Sequence, residues 1–175
     1  MAFRRTTRFR RGGTRKRAIW VNIPFGGVTF TETTTNQLLL TAEDWEAQFD
    51  GNANETAVLR AIRGDIVWSQ TTAGTAGGTG FWGLYVADKA ATVVPTFTTA
   101  GMGDVDWLRI GAFGVSTSVT TSLTSALQAR LPIEVDAKRR LKSRDAVYLV
   151  GGFATDAASP AGVLSGLLRF LVARD

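Results

Sequence analysis

The sequence contains no cysteine and no histidine. Without thiols there is no disulfide framework, so nothing in the composition points to an oxidising compartment. The same absences exclude zinc sites built from thiolate or imidazole, and they exclude nucleophile–base pairs that use Cys or His. Because most hydrolytic mechanisms need one of these groups, the composition favours a protein that is not an enzyme and that uses no cofactor.

Charge and long apolar runs are also scarce. Only 20% of the positions are charged, whereas 45% are hydrophobic. A surface with so little charge suggests that much of it contacts other protein chains. No apolar run reaches the roughly 18 residues that span a bilayer, and residues 18–24 are too short and too polar for a signal-peptide core. We therefore expect a soluble, intracellular protein without a membrane partner.

The basic residues that are present are concentrated in residues 1–17, which we call the arm. The arm has no acidic residue and holds eight of the 20 basic residues of the chain: Arg4, Arg5, Arg8, Arg10, Arg11, Arg15, Lys16 and Arg17. Since the chain has 15 acidic residues, residues 18–175 hold 12 basic against 15 acidic residues, a formal charge of −3 beside the arm's +8. Such a segment repels itself, and we expect it to be disordered until it binds a polyanion.

Nucleic acid is the partner that best fits the arm. Guanidinium groups match phosphate oxygens and stack on unpaired bases. A solubility tail does not need Lys and Arg, and a membrane anchor needs an amphipathic apolar face or a second anchor. Binding by counterion release should be strongly salt-dependent and nearly independent of base sequence. Arg15–Arg17 also fits a nuclear-import signal, as any basic run does.

The rest of the chain predicts one all-β domain over residues 18–175. Thr41 is expected to cap a short helix that contains Trp45 and Phe49, and a second short helix is expected over 122–131. In the predicted strand over 58–68, one set of alternate positions holds the apolar residues Val58, Ile62, Ile66 and Trp68. Arg60 interrupts this apolar set. About seven to nine short strands with polar loops are typical of an antiparallel sandwich or jelly roll. The predicted strands are 18–30, 33–40, 58–68, 81–86, 93–98, 106–115, 133–137, 146–150 and 163–172.

Two kinds of motif are weighed as sites. Gly78–Gly83 matches the G-x-G-x-x-G string but runs into strand-like residues, so we interpret it as a loop that enters a strand. Asp104 and Asp106 are two residues apart, as are Glu134 and Asp136, and each pair shares a face if extended. Such pairs can act as acid and base or bind Ca²⁺, although salt-bridge partners are the commoner outcome. Asp104 and Asp106 are kept as weak metal candidates.

A second basic run lies between Asp136 and Asp145, where a hairpin between two strands is expected. A charged turn and a second contact with a polyanion or a partner chain fit it equally well. The basic residues of this run are Lys138, Arg139, Arg140, Lys142 and Arg144.

The order of several segments behind the arm resembles a known family. These segments are Leu59–Asp65, Asp106–Leu108, Ile133–Leu141, Ala146–Val150 and Leu168–Leu171. Their layout resembles the single jelly-roll capsid proteins of small circular Rep-encoding single-stranded (CRESS) DNA viruses. The resemblance implies an eight-stranded sandwich, a homo-oligomeric icosahedral shell (T=1) of about sixty copies, and an arm that points inward to the genome and also serves nuclear entry.

The interpretation is thus a capsid protein that packages single-stranded DNA and is found in the virion and, during assembly, in the host nucleus. A shell around single-stranded RNA is the nearest alternative, because phosphate binding does not read the 2′-OH. A monomeric RNA-binding protein of ribosomal type with a basic tail is the second alternative. An enzyme that uses carboxylates is the least favoured.

Overall fold

The structure is a computed structural model that describes residues 18–30, 35–46, 49, 56–72, 78–97, 102–115, 128–153 and 161–174. The whole arm lies outside the described residues. Those residues form strands and one short helix, in chain order β1 (Ala18–Phe30), β2 (Thr35–Leu40), α1 (Ala42–Glu46), β3 (Ala57–Thr72), β4 (Gly78–Asp88), β5 (Asp106–Val115), β6 (Gln128–Leu141), β7 (Asp145–Phe153) and β8 (Ala161–Arg174).

The strands build two four-stranded antiparallel sheets. Sheet A has the order β1-β8-β3-β6, and sheet B has the order β2-β7-β4-β5. The pairing is nested, because β1 pairs with β8, β2 with β7, β3 with β6 and β4 with β5. Nested pairing of eight strands in two sheets is the double Greek key of a jelly roll. The predicted eight-stranded jelly-roll sandwich is therefore confirmed.

The core between the sheets follows the two-residue period of the strands. In β6, Ile133, Val135 and Ala137 are buried, and Glu134 and Asp136 between them are exposed. This alternation places every second residue of β6 on the core side of sheet A.

Large aromatic side chains fill the middle of the core. Trp68 of β3 is fully buried, and its ring centroid lies 4.5 Å from that of Phe113 and 6.0 Å from that of Phe153. Because Trp68 belongs to sheet A and its two partners belong to sheet B, these ring contacts hold the two layers together.

Strand β7 was predicted to be covered on both faces, and this is confirmed. Val147 and Leu149 pack in the main core, whereas Tyr148 belongs to a second apolar cluster on the other side of sheet B. Val94, Phe97, Val105 and Trp107 pack against that second cluster, and the Tyr148 ring lies 5.3 Å from that of Tyr85. The outer face of sheet B is thus partly covered by its own chain, while Trp20 and Leu167 of sheet A are 44% and 48% exposed.

Helix α1 begins as predicted behind Thr41. The Thr41 backbone N–H donates to Asp44 Oδ2 at 2.7 Å, and the Thr41 hydroxyl donates to the same oxygen at 3.1 Å. The first of these bonds is one half of a capping box, in which an acidic side chain reaches back to the residue before the helix. Trp45 and Phe49 are both buried.

Among the described residues, no helix has the length and apolar character of a membrane span.

Three details of the sequence-based prediction are wrong. Residues 93–97 form no strand, and Pro95 among them cannot donate a ladder hydrogen bond. Residues 128–131, predicted as the end of a helix, begin β6, and the rest of that predicted helix lies outside the described residues. In β3, Leu59 is fully buried together with Ile62, Ile66 and Trp68, whereas Val58 is only partly buried, because a register shift between Leu59 and Ala61 changes which residues face the core.

Candidate nucleic-acid interface

The arm joins sheet A through Ala18, the first residue of β1. Ala18 pairs with Ala173 of β8, Ala173 pairs with Val58 of β3, and Val58 pairs with Arg140 of β6. Neighbouring strands lie about 4.8 Å apart, so about 14 Å separates the attachment of the arm from Arg140. The arm and the second basic run therefore share one end of sheet A, which we call the basic end.

The second basic run lies at the hairpin between β6 and β7, as predicted, but β6 extends further into the run than expected. Lys138, Arg139 and Arg140 belong to β6, and Lys142 and Arg144 lie in the turn before β7. The turn is closed by Asp145, whose side chain accepts a hydrogen bond from the Lys142 backbone N–H at 2.9 Å. Part of the run is thus an exposed strand surface, and only its end is a charged turn.

Two cations of the second basic run bind acidic residues of sheet B. The Arg139 guanidinium forms an ion pair with Asp106 at the start of β5. Arg144 Nε lies 3.9 Å from Asp88 Oδ2 at the end of β4. These contacts join the two sheets at this end of the sandwich, and they compensate part of the positive charge of the run.

The weak metal candidates do not gather further ligands in the part of the chain that the structure describes. Asp104 is exposed before β5, and Asp106 already binds Arg139. No group of three acidic residues that could hold a metal ion occurs among the described residues. Asp106 therefore has a structural contact that explains its position without a metal.

Glu134 and Asp136 share an exposed face of β6, as their spacing predicts, and both are salt-bridge partners of Arg63. Arg63 Nε lies 3.3 Å from Glu134 Oε1, and Arg63 Nη2 lies 2.6 Å from Asp136 Oδ1. Arg63 Nη1 also donates to the Val135 carbonyl at 2.8 Å. This triad of one arginine and two carboxylates has a formal charge of −1 and lies in the middle of the outer face of sheet A.

A second ion pair lies on the same two strands, farther from the basic end. Arg130 donates to Asp65 through Nε at 3.0 Å and through Nη2 at 2.7 Å. These hydrogen bonds hold the pKa of the Asp65 carboxyl below its ordinary value and raise the pKa of Arg130. Positive charge on this part of sheet A is therefore matched by negative charge.

The basic end contains a groove that the sequence analysis missed. Its volume is about 720 Å³, and it is lined by Val58, Arg60, Asp136, Ala137 and Lys138. Arg60 lies where the register of β3 shifts, and residues 137 and 138 of β6 lie opposite that shift. A β-bulge of this kind bends the strand locally, which accounts for the opening.

Two cations in the groove lack compensation. The side chains of Arg60 and Lys138 are exposed and have no ion-pair or hydrogen-bond partner among the residues that the structure describes. The acidic residue of the lining, Asp136, already binds Arg63. The sequence signal for this site was the presence of two arginines in one strand, but strict alternation places Arg60 and Arg63 on opposite faces. The bulge brings both to the outer face.

An exposed aromatic side chain lies close to the attachment of the arm. Trp20 is 44% exposed, and the Arg169 guanidinium lies over its ring, 5.5 Å from the centroid. Exposed aromatic rings beside cations are surfaces on which unpaired bases stack. The surroundings of Ala18 thus combine positive charge with an aromatic face.

The fold and this surface define the class of the protein: a jelly-roll sandwich whose basic arm is attached beside further basic residues of the same sheet. No protein-family model and no curated protein matches the chain.

Solved structures that align with the chain include three from different sources. A CocE/NonD family hydrolase from Staphylococcus aureus aligns with 90% of this chain at 10% identity and a TM-score of 0.41, but the chain spans only 33% of that protein. Cocksfoot mottle virus aligns with 87% of this chain and 94% of its own at 13% identity and a TM-score of 0.37. Tobacco necrosis virus aligns with 91% of this chain and 97% of its own at 12% identity and a TM-score of 0.35. At these low scores, the fold assignment rests on the strand order alone.

Proposed function

We propose that the protein is a viral capsid subunit that self-assembles into an icosahedral shell and packages single-stranded DNA through its arm. The observation that carries the proposal is the segregation of charge in a jelly-roll chain. The arm carries +8 and is attached at the basic end of sheet A, whereas residues 18–175 carry −3. In this role the protein is structural and has no catalytic activity.

Assembly follows from the composition and the symmetry of identical subunits. A small subunit can enclose a volume only through repeated contacts with copies of itself, and closed point-group symmetry makes these contacts equivalent. Exposed apolar residues such as Leu38, Ile110 and Leu167 supply area for such contacts. About sixty copies would form the simplest icosahedral shell.

The arms supply the charge that retains a genome inside the shell. Lys and Arg neutralise phosphates and release counterions, which gives strong, salt-dependent binding without base readout. DNA is proposed over RNA because of the family that the segments resemble, and the virion and the host nucleus follow from the same resemblance. The phosphate chemistry itself fits either nucleic acid.

Sedimentation of the purified full chain tests assembly. We expect a particle in the megadalton range that carries nucleic acid, seen as a raised ratio of absorbance at 260 nm to that at 280 nm. Digestion of the extracted contents with DNase and with RNase distinguishes the two genomes. A chain that stays monomeric at every salt and protein concentration would support a monomeric RNA-binding protein and overturn the capsid proposal.

A variant that lacks residues 2–17 tests the arm. It should fold, because the described strands begin at Ala18, and its particles should contain no nucleic acid. Normal packaging by this variant would show that the arm is not the packaging element. Replacing the eight basic residues of the arm by Gln, with the length of the arm kept, is the matched control for loss of charge alone.

A further inference from the structure

The groove at the β-bulge contains two positive charges that form no ion pair within the described part of the domain. Arg60 and Lys138 line the groove, and neither contacts a carboxylate among the described residues. In the described part of sheet A, by contrast, Arg63 and Arg130 each bind acidic neighbours. Two exposed, uncompensated cations that converge on one groove are an arrangement that attracts an anion.

We propose that this groove binds phosphates of a single-stranded nucleic acid and forms a second contact beside the arm. The proposal rests on the proposed function, since it names a further part of the surface that the packaged strand touches. Arg60 supplies a planar fork that matches phosphate oxygens, and Lys138 supplies a point charge. The groove selects for phosphate, which DNA and RNA share.

The position of the groove supports a strand that runs on from the arm. Val58 of the groove lining pairs with Ala173, which in turn pairs with Ala18. The groove is therefore about two strand spacings, roughly 10 Å, from the point where the arm joins β1. A nucleic acid held by the arm is therefore within reach of Arg60 and Lys138.

The shape of the groove favours backbone contacts over base readout. The lining offers two cations, the apolar residues Val58 and Ala137, and a carboxylate that already binds Arg63. Sequence readout needs side chains held rigidly against base edges, whereas phosphate contacts need only charge within reach. Binding at the groove should therefore be independent of base sequence.

The test is the salt dependence of oligonucleotide binding by the full chain. Binding of fluorescent dT30 and U30 is measured by anisotropy between about 50 and 300 mM salt, at subunit concentrations where sedimentation shows no assembly. Single-stranded binding falls with a slope of about −0.7 per phosphate contact in log K against log salt. The variant Arg60→Gln with Lys138→Gln should therefore reduce the magnitude of the slope by about 1.4 for both oligonucleotides.

Two control variants separate charge from structure. Arg60→Lys with Lys138→Arg keeps both charges and should keep the slope. Arg109→Gln removes an exposed arginine of β5 in sheet B, which also has no partner among the described residues, and should leave the slope unchanged. Thermal unfolding of all the variants should match that of the parent chain, because the replaced side chains are exposed.

The outcomes distinguish failure of the proposed groove contact from failure of the capsid proposal. An unchanged slope in the variant with Arg60→Gln and Lys138→Gln overturns the proposed phosphate binding at the groove, even if the full chain assembles and packages nucleic acid. A change with only one of the two oligonucleotides would also overturn the assignment to phosphate. A full chain that never assembles overturns the capsid proposal, while a reduced slope in the Gln variant would still support the groove.

Discussion

Gly64 lies in the middle of β3, where it pairs with Leu168 of β8. Its φ angle is 146°, a conformation that residues with a side chain rarely adopt. A Cβ atom at this position would also clash with the carbonyl oxygen of Leu167. Gly64 therefore allows the contact between two central strands of sheet A.

Replacement of this residue should destabilise the subunit. Gly64→Ala combines an unfavourable backbone angle with overpacking, and we expect the free energy of unfolding to fall by at least about 2 kcal/mol. Chemical denaturation of the unassembled protein measures the change. Gly114→Ala in β5 is the control, because a Cβ at Gly114 meets nothing within 4 Å. Equal stabilities of the two variants would contradict the role of Gly64.

Single residues also mark the limit of what the sequence could predict about the site. The basic run at residues 138–144 is visible in the sequence, and so is the arm. The contribution of Arg60 is not visible in the sequence, because it depends on a β-bulge that no local sequence pattern predicts. The partners Asp106 of Arg139 and Asp88 of Arg144 are equally hidden, since they come from strands far away in the chain.

At the scale of elements, ion pairs reinforce the pairing of β3 with the edge strand β6. Asp65 and Arg130 form two hydrogen bonds across these strands, and the pKa of Asp65 is lowered as a result. A lowered pKa means that the folded protein holds this proton less tightly than the unfolded chain. The contribution of the pair is therefore present above the ordinary value of 3.8 and is lost as the pH falls through the pKa of the folded state.

Removal of the partner should move this titration. In Arg130→Gln, the pKa of Asp65 should rise toward its ordinary value, as measured by an NMR titration of the side-chain carboxyl carbon. The variant should be less stable than the parent chain near pH 7, and the difference should vanish below the pKa of the folded parent. Arg109→Gln should leave the titration of Asp65 unchanged. A pKa of Asp65 that is the same with and without Arg130 would contradict the assigned cause.

Most elements could be predicted from local pattern, but their details could not. The alternation of residues 133–137 and the unbroken apolar run of residues 146–150 indicate a half-exposed and a covered strand, and both predictions are confirmed. The face of β3 was assigned wrongly at Val58, because one bulge shifts the parity of the residues before it. The segment around Pro95 has the composition of a strand, but it packs over the outer face of sheet B instead.

At the scale of the whole molecule, the domain and the arm differ in the sign of their charge. Residues 18–175 hold 12 basic and 15 acidic residues, and the arm holds eight basic residues. A variant that lacks residues 2–17 should therefore behave as a weak anion near pH 7, whereas the full chain behaves as a cation. We expect the full chain to be retained on heparin to high salt and the shortened chain to flow through.

This experiment has its own control. Replacement of Arg109 by Gln in the full chain removes one exposed charge outside the arm and should shift elution from heparin only slightly. If the shortened chain eluted at the same salt as the full chain, the charge of the domain and not that of the arm would dominate binding.

The nested strand order itself was expected through the resemblance to a family and not through local pattern, since pairing of β1 with β8 depends on the whole chain.

The pairing of Ala18 with Ala173 has a practical consequence. A protein genetically joined behind β8 would start one strand away from the arm. In the proposed particle, such a passenger would lie on the same side as the arm. The strand register thus offers a way to load a cargo enzyme or a fluorescent reporter, and too large a passenger would compete with the genome for space.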